Sequence, residues 1–484
     1  MWAWWPALLS PLLAALLTTG GDLRGQHALT WLAVGAGTLA AMGVARRVAQ
    51  QRWSGRRVAA VAGVSMALSM AGSPTLSDDV WRYLWEGRAQ RQGHATPYLL
   101  APEDTHLPDV PPGSRARVAH PNVPAVYPPG AQVLLWGTAH LADVGGHGGP
   151  TAFQVVLGTC WLAAAWLAWR MANTAAQRGL AAGLAVHPLG LLEAGRGAHL
   201  DAAAALALSV MVVAWQARHH VQAGAAWAVA LLIKPVAALL LIRLLLDRGR
   251  LPVLLGATLA GLVLVAPYAP AGAALWEGVG TYALHWEFNG GLSRVLRWVL
   301  DGPFEELAQR RQWLHLRWAS SGVGVEQGGG WLWTWGAPPL EGARLLVDGR
   351  LLARVGGLGL LCVWLAWAWR ALTTTPAQHA LVTVLGLLAV SPTVHPWYVL
   401  TLLPLCALAQ APTLLWSSGV FALAYAVWRV DATGMVWDEP GWTAPIIWGV
   451  TAVAAARDFH RWRNPSSPTQ PNPQPSTTSA GTVA

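Results

Sequence analysis

The chain has 484 residues, of which 54% are hydrophobic and only 11% charged, against roughly 25% charged in an ordinary soluble protein. Long apolar runs recur from end to end, which excludes a soluble enzyme and reads as a polytopic, all-α membrane protein. The net charge of +9 is almost wholly arginine, Lys234 being the one lysine; cytoplasmic loops and lipid head groups account for it, and no nucleic-acid partner is implied.

In chain order, MWAWWPALLSPLLAALLTTG lacks a basic leader and an A-x-A cleavage site, so it is expected to be a first span and not a signal peptide. Apolar segments follow at Ala28–Ala45, Val58–Gly72, Thr151–Arg170, Leu180–Ala194, Leu200–Ala217, Ala223–Leu246 and Leu251–Ala269. The series ends with Leu351–Ala371, Ala380–Thr393, Trp397–Gln410, Pro412–Trp428 and Trp442–Ala456. Residues 1–463 are expected to form one transmembrane domain with two long outer loops, 73–150 and 270–350. The Pro-, Ser- and Thr-rich segment 464–484 is expected to be a disordered cytoplasmic tail. The 31 tryptophans suit a large interfacial surface.

Two choices decide the topology: whether the helix after Tyr127-Pro128-Pro129-Gly130 crosses or lies on the surface, and whether Ala223–Leu246 is one helix or a hairpin broken at Lys234-Pro235. Arg46, Arg47, Arg52, Arg56 and Arg57 fix the loop before the third span as cytoplasmic. A surface helix with a hairpin adds Arg170, Arg178, Arg218, Arg248, Arg250, Arg370, Arg457, Arg461 and Arg463 to that side. Only Arg24, Arg196 and Arg429 are then left outside. A crossing helix with a single span scores almost as well, but it splits the ionisable residues between two faces. The first choice brings Asp78, Asp79, Glu193, His199, Asp201, Lys234 and His395 to one outer face, and gives about fourteen spans.

The stretch most suggestive of chemistry is SDDVWRYLWEGRAQRQGHATPY, from Ser77 to Tyr98. Ser77 can cap a helix beginning at Asp78, and acids in a first turn complement the helix dipole. The same acids lie directly after a span, with Arg82, Arg88 and Arg91 on the next turns. A carboxylate there can take a proton from a hydroxyl while cations hold a phosphate. Further on, Glu193, Arg196, His199 and Asp201 crowd one membrane boundary, which is costly unless they face a watery cavity. Lys234 is either a snorkelling anchor or a holder of phosphate. In His395-Pro-Trp-Tyr398 the Trp-Tyr pair reads as interfacial, and His395 as a donor toward phosphate. The outer segment with Trp286, Asn289, Arg294 and Arg297 runs into GVGVEQGGGWLWTWG, whose role stays open. Cys160, Cys362 and Cys406 fall in apolar runs and give neither a disulfide framework nor a metal spacing. No nucleotide-binding loop, Ser-His-Asp spacing or zinc pattern occurs. No cofactor is implied, and a divalent metal is left open.

The order SDDVWRYLWEGRAQ, VYPPGAQVLLW, HPLGLLEAGRGAHLDAAAALAL, ALLIKPVAALLL, YALHWEFNGGLSRVL and SPTVHPWYVLTLLPL resembles GT-C-type integral membrane glycosyltransferases. It is most similar to the bacterial polyprenyl-phosphate-mannose-dependent mannosyltransferases, over about Ser73 to Leu405. The resemblance implies an outer-loop acid as catalytic base, which matches Asp79, with Asp78 as its partner. It also implies a proline-containing helix lying along the membrane. Arg82, Arg88, Arg196, His199, Asp201, Lys234, His395 and Tyr398 would then bind the donor phosphate or substrate. Leu200 departs from the family's usual G-H-N-D, which has Asn at that place. The implied partners are a polyprenyl-phosphate sugar donor (mannose or another hexose), a glycan or glycolipid acceptor and membrane lipid. The implied location is the cell membrane, with the site facing outward. Two rivals share much of this pattern: a transporter or flippase for a lipid-linked sugar, and a ligase that moves a whole glycan from a lipid carrier.

Overall fold

The computed structural model describes residues 9–14, 21–91, 96–103, 113–144, 149–299, 332–333, 345–346, 349–431 and 434–464. The tail from residue 465, and the Gly/Trp-rich stretch apart from two residues, lie outside the described residues. Among the described residues the chain is helical, apart from two antiparallel ladders: β1 (Leu332–Trp333) with β2 (Leu345–Leu346), and β3 (Trp428–Asp431) with β4 (Gly434–Trp437).

The main helices are α1 (His27–Ala49), α2 (Gly55–Met70), α3 (Asp79–Arg91), α4 (Pro129–Val144), α5 (Thr151–Arg170) and α6 (Ala175–Ala185). A π-helical turn, Gly190–Arg196, leads into α7 (Asp201–Gln216). Then come α8 (His220–Ile233), α9 (Leu240–Leu245), α10 (Arg250–Val265), α11 (Ala274–His285), α12 (Gly349–Ala371) and α13 (Pro376–Val390). The chain closes with α14 (Leu403–Leu408), α15 (Pro412–Ser417) and α16 (Thr443–Arg463). Among the described residues three helical stretches, α1, α5 and 250–271, are long and apolar enough to cross a membrane. The π-helical turn and α7, which meet at 115°, pass the same test when taken together as one broken span. On α10, Leu251, Leu254, Leu255, Leu259, Leu262 and Val263 are exposed. An exposed apolar helix of this kind is covered by lipid more cheaply than by water.

Side-chain contacts sort the helices into a bundle with two ends. At one end, Lys234 donates to Asp201 at 2.5 Å, and Gln154 donates to the carbonyls of Gly72 and Arg196 at 2.7 and 3.0 Å. At the other end, Trp215 donates to Asp247 at 2.9 Å and Arg461 pairs with Asp458 at 3.0 Å. Since α7 runs from Asp201 toward Trp215, the chain goes out along α8 to Lys234 and returns to Asp247. The break at Lys234 is therefore a reversal, made where Lys234 takes an extended backbone before Pro235. Trp227 donates to the carbonyl of Ala237 at 2.8 Å across that reversal.

The same reasoning places α4. Its first turn rests on α8 near Lys234, where a Cβ on Gly130 would lie 2.9 Å from the Leu232 carbonyl oxygen. The chain re-enters the bundle at Gln154, at the same end. So α4 lies across the Asp201–Lys234 end and does not traverse the bundle. It packs on α3 at Gly87, where a Cβ would meet the Leu135 carbonyl at 2.4 Å. Glycine there lets two helix backbones touch.

Candidate functional site

Under α3 and α4, side chains from several separate segments meet. Asp79 opens α3, its backbone N–H donating to Ser77 Oγ at 3.2 Å; the helix starts one residue later than its sequence suggests. Its Oδ2 faces His199 Nδ1 at 3.6 Å, and His199 Nε2 faces Glu193 Oε2 at 3.5 Å. Tyr425 donates to the other oxygen of Glu193 at 2.7 Å. His199 is wholly buried between the two carboxylates, at distances longer than a well-formed hydrogen bond. Next to it, Lys234 Nζ sits 2.5 Å from Asp201 and 3.2 Å from the centre of the Tyr398 ring, a cation–π contact. The Tyr398 hydroxyl bonds that of Tyr282.

Trp397 completes the floor. Its indole stacks on His199 at 4.0 Å and 5°, and on His395 at 4.4 Å and 2°, so one tryptophan is held between two imidazoles. Phe288 continues the stack against His395 at 4.8 Å. The segment carrying Phe288 is zippered to the one carrying His395: Phe288 donates to the Pro392 carbonyl at 3.0 Å and Val394 donates to the Phe288 carbonyl at 2.8 Å. Nδ1 of His395 is buried with no hydrogen-bond partner among the described residues.

Local backbone explains how these groups converge. The π-helical turn widens the helix before α7, a form common at functional positions, and Gly190 within it packs against Trp161 so closely that a Cβ would lie 2.1 Å from the indole. Ala198, next to His199, has φ of +56°. Such a left-handed Ala costs about 1 kcal/mol or more and persists only where its surroundings hold it.

Exposure separates the acids. Side chains of Glu193 and Asp201 are 1% exposed, whereas Asp79 keeps 29% open. A ligand hydroxyl can therefore reach Asp79 and not the other two. Burial pushes the Asp79 carboxyl up, but the facing His199, with His395 and Lys234 behind it, outweighs this and holds it below its ordinary range. Asp78 goes the other way. Burial raises it, Arg24 at 3.9 Å offsets only part of that, and repulsion from Asp79 raises it further.

The structure thus brings together Asp79, His199, Asp201, Lys234, His395 and Tyr398 of the sequence-predicted site. It does not bring Arg82, Arg88 or Arg196 to them as free cations. Arg82 donates to the carbonyls of Val123, Ala119 and His120 at 3.0, 2.7 and 2.7 Å. Arg88 donates to Asp143 at 2.8 Å, tying α3 to α4. Arg196 donates to the carbonyls of Ser73, at 3.0 Å, and Gly21. It does not pair with Glu193, three residues before it in the chain. In the second outer loop, Arg294 pairs with Glu439 at 2.6 Å and Arg297 with Glu287, while Asn289 donates to the Val394 carbonyl at 3.1 Å.

Sequence reasoning missed Tyr425, Tyr282 and Trp397. Tyr425 lies in an uninterrupted apolar run and carries no local signal; Trp397 looks like an ordinary interfacial aromatic. Among the described residues, no group of three or more His, Cys, Asp or Glu side chains is arranged to hold a metal ion. No protein-family model, curated protein or solved structure matches the chain.

Proposed function

We propose that the chain is an integral membrane glycosyltransferase that moves a hexose from a polyprenyl-phosphate donor to an acceptor hydroxyl outside the cytoplasm. The observation that carries this reading is the pairing of one reachable carboxylate, Asp79, with a buried histidine, lysine and aromatic floor. Ionisable groups collected this way inside a membrane protein are expensive, and they persist where they serve a substrate.

In this mechanism Asp79 takes the proton of the acceptor hydroxyl as its oxygen attacks the anomeric carbon. The bond from that carbon to the phosphate oxygen breaks, and its electron pair leaves with the lipid phosphate. One displacement inverts the anomeric configuration. A positioned base contributes about 10²–10⁴-fold. Lys234, whose ammonium has donors beyond the one given to Asp201, and the free Nδ1 of His395 stabilise the departing phosphate. His199 orients Asp79, and Glu193 with Tyr425 orients His199. The three arginines serve the frame and not the phosphate. Taken as one crossing each, the passes between the two ends of the bundle, together with the N-terminal segment, give about fourteen spans. The arginine-rich end would then face the cytoplasm.

The test is a reconstituted assay in proteoliposomes with one defined polyprenyl-phosphate hexose, read by product mass. A single added hexose on the acceptor, with inverted linkage, supports the reading. Movement of intact lipid-linked sugar without a product would identify a flippase, and transfer of a preassembled glycan a ligase. Cysteine labelling from outside at Gly330 and not at Ala175 checks the orientation.

A further inference from the structure

The hairpin β3–β4 has no role in the chemistry above, yet it is tied to both sides of the site. Trp428 at its start donates to the Leu76 carbonyl at 3.0 Å, three residues before Asp79. Arg24 lies over the Trp428 ring at 5.4 Å and also pairs with Asp78 at 3.9 Å. Trp437 at its end packs against Phe288 at 5.0 Å, His395 at 6.1 Å and Trp428 at 5.0 Å, the last edge-on at 89°. Despite these contacts, Trp437 is 48% exposed. The main chain closes beneath it, Asp438 donating to the Val427 carbonyl at 2.9 Å.

An exposed tryptophan on a membrane protein is often an interfacial anchor. The surroundings of Trp437 favour another use. Arg429 and Asp438 form an exposed ion pair beside it, with 60% and 56% of their side chains open, and Arg294–Glu439 follows directly. A hairpin edged by such charges lies in water or among head groups, not in hydrocarbon. Trp437 also begins a continuous file of rings and side chains. It runs through His395, Trp397 and His199 to Asp79. An open aromatic face next to charged hydrogen-bonding groups, held at a fixed place and joined to Asp79 through three intervening side chains, fits a pyranose. The sugar's C–H face meets the electron-rich ring, and its rim of hydroxyls meets carboxylate and guanidinium.

We propose that Trp437 is the stacking platform for a hexose ring of the acceptor, with Asp438 and Arg429 reading its hydroxyls. The glycosyl-transfer reading supplies the word acceptor; the platform itself stands on the hairpin. The site takes a neutral sugar ring from solvent, separate from the lipid-bound donor.

The test uses the full-length protein in nanodiscs and three disaccharides, mannobiose, maltose and lactose, observed by saturation-transfer NMR. Wild type should bind at least one of them. Trp437→Ala should weaken that binding about tenfold, the size of one lost aromatic contact, while Trp437→Tyr keeps most of it. In a transfer assay the alanine variant should raise the acceptor KM by a similar factor, with kcat and donor KM nearly unchanged. Binding by Trp437→Ala equal to wild type, or no binding of any of the three by wild type, overturns the platform. Sugar binding that depends on Trp437 in a protein forming no product would sink glycosyl transfer and leave the platform standing as a sugar site.

Discussion

Two sets of charged side chains lie at the same end of this bundle, and they are used in opposite ways. Arg82, Arg88 and Arg196 spend their donors on carbonyls and on two carboxylates, Glu86 and Asp143, of the chain itself. Asp79, His199, Glu193, Asp201 and Lys234 face one another, with His199 at over-long distances to two acids and Asp79 partly open. Satisfied cations rigidify a loop; incompletely satisfied groups around a reachable acid can exchange a proton or accept a ligand. Charge near a site is therefore weak evidence of function. The state of its hydrogen bonds discriminates better.

The sharpest break in this comparison is Asp79→Asn. The amide keeps the shape and the start of α3 but cannot accept the acceptor's proton, so transfer should fall at least about a hundredfold with donor binding retained. Near-normal turnover in that variant would remove the central role. Lys234→Met comes next. It strips the counter-charge from buried Asp201, a loss of roughly 3–5 kcal/mol for a broken buried pair. Lys234→Met combined with Asp201→Asn should recover much of that stability yet still need more lipid donor for half-maximal rate. Unchanged donor dependence in the double variant would return Lys234 to a structural pairing.

Arg82→Met tests the other set. Three carbonyls lose their donor, each worth about 1–3 kcal/mol if it stays dry, and buried Glu86 loses its cation, so the unfolding temperature should drop while the surviving protein keeps its donor KM. A donor KM that rises severalfold would restore Arg82 as a phosphate ligand. The smallest change is expected for Asp78→Asn, a drop of no more than a few fold, because Asp78 faces Arg24 and not His199.

The two acids also predict a pH response. Asp79 is held below the ordinary carboxylate range, so it stays ionised from neutrality downward and loses its charge only as pH falls through that lowered value. Its contribution to stability has the same sign: present above the ordinary carboxylate pKa, and lost on acidification. Transfer should therefore be flat from neutral pH to about 5. An acid limb well above pH ~5 would take the proton-accepting role away from Asp79.

Composition alone determined that the chain is helical and apolar, because few arrangements other than helices hide a backbone in hydrocarbon. The reversal at Lys234 is one of two readings the arginines leave almost even, and it is preferred because it gathers the ionisable residues on one face. Asp79 was legible, as an acid at a helix start next to a span. The count of about fourteen spans stays an expectation: among the described residues three stretches pass on length and composition, or four if the bent pair is one span. Local sequence did not reveal which charges were spent. Arg82 and Lys234 both read as phosphate ligands; only the fold put backbone carbonyls around one and a carboxylate and an aromatic ring around the other. The joining of Glu193 to Tyr425, 232 residues apart, and the capture of Trp397 between two histidines were likewise invisible. Such contacts are fixed by packing between distant helices, where no periodicity or spacing along the chain records which face meets which.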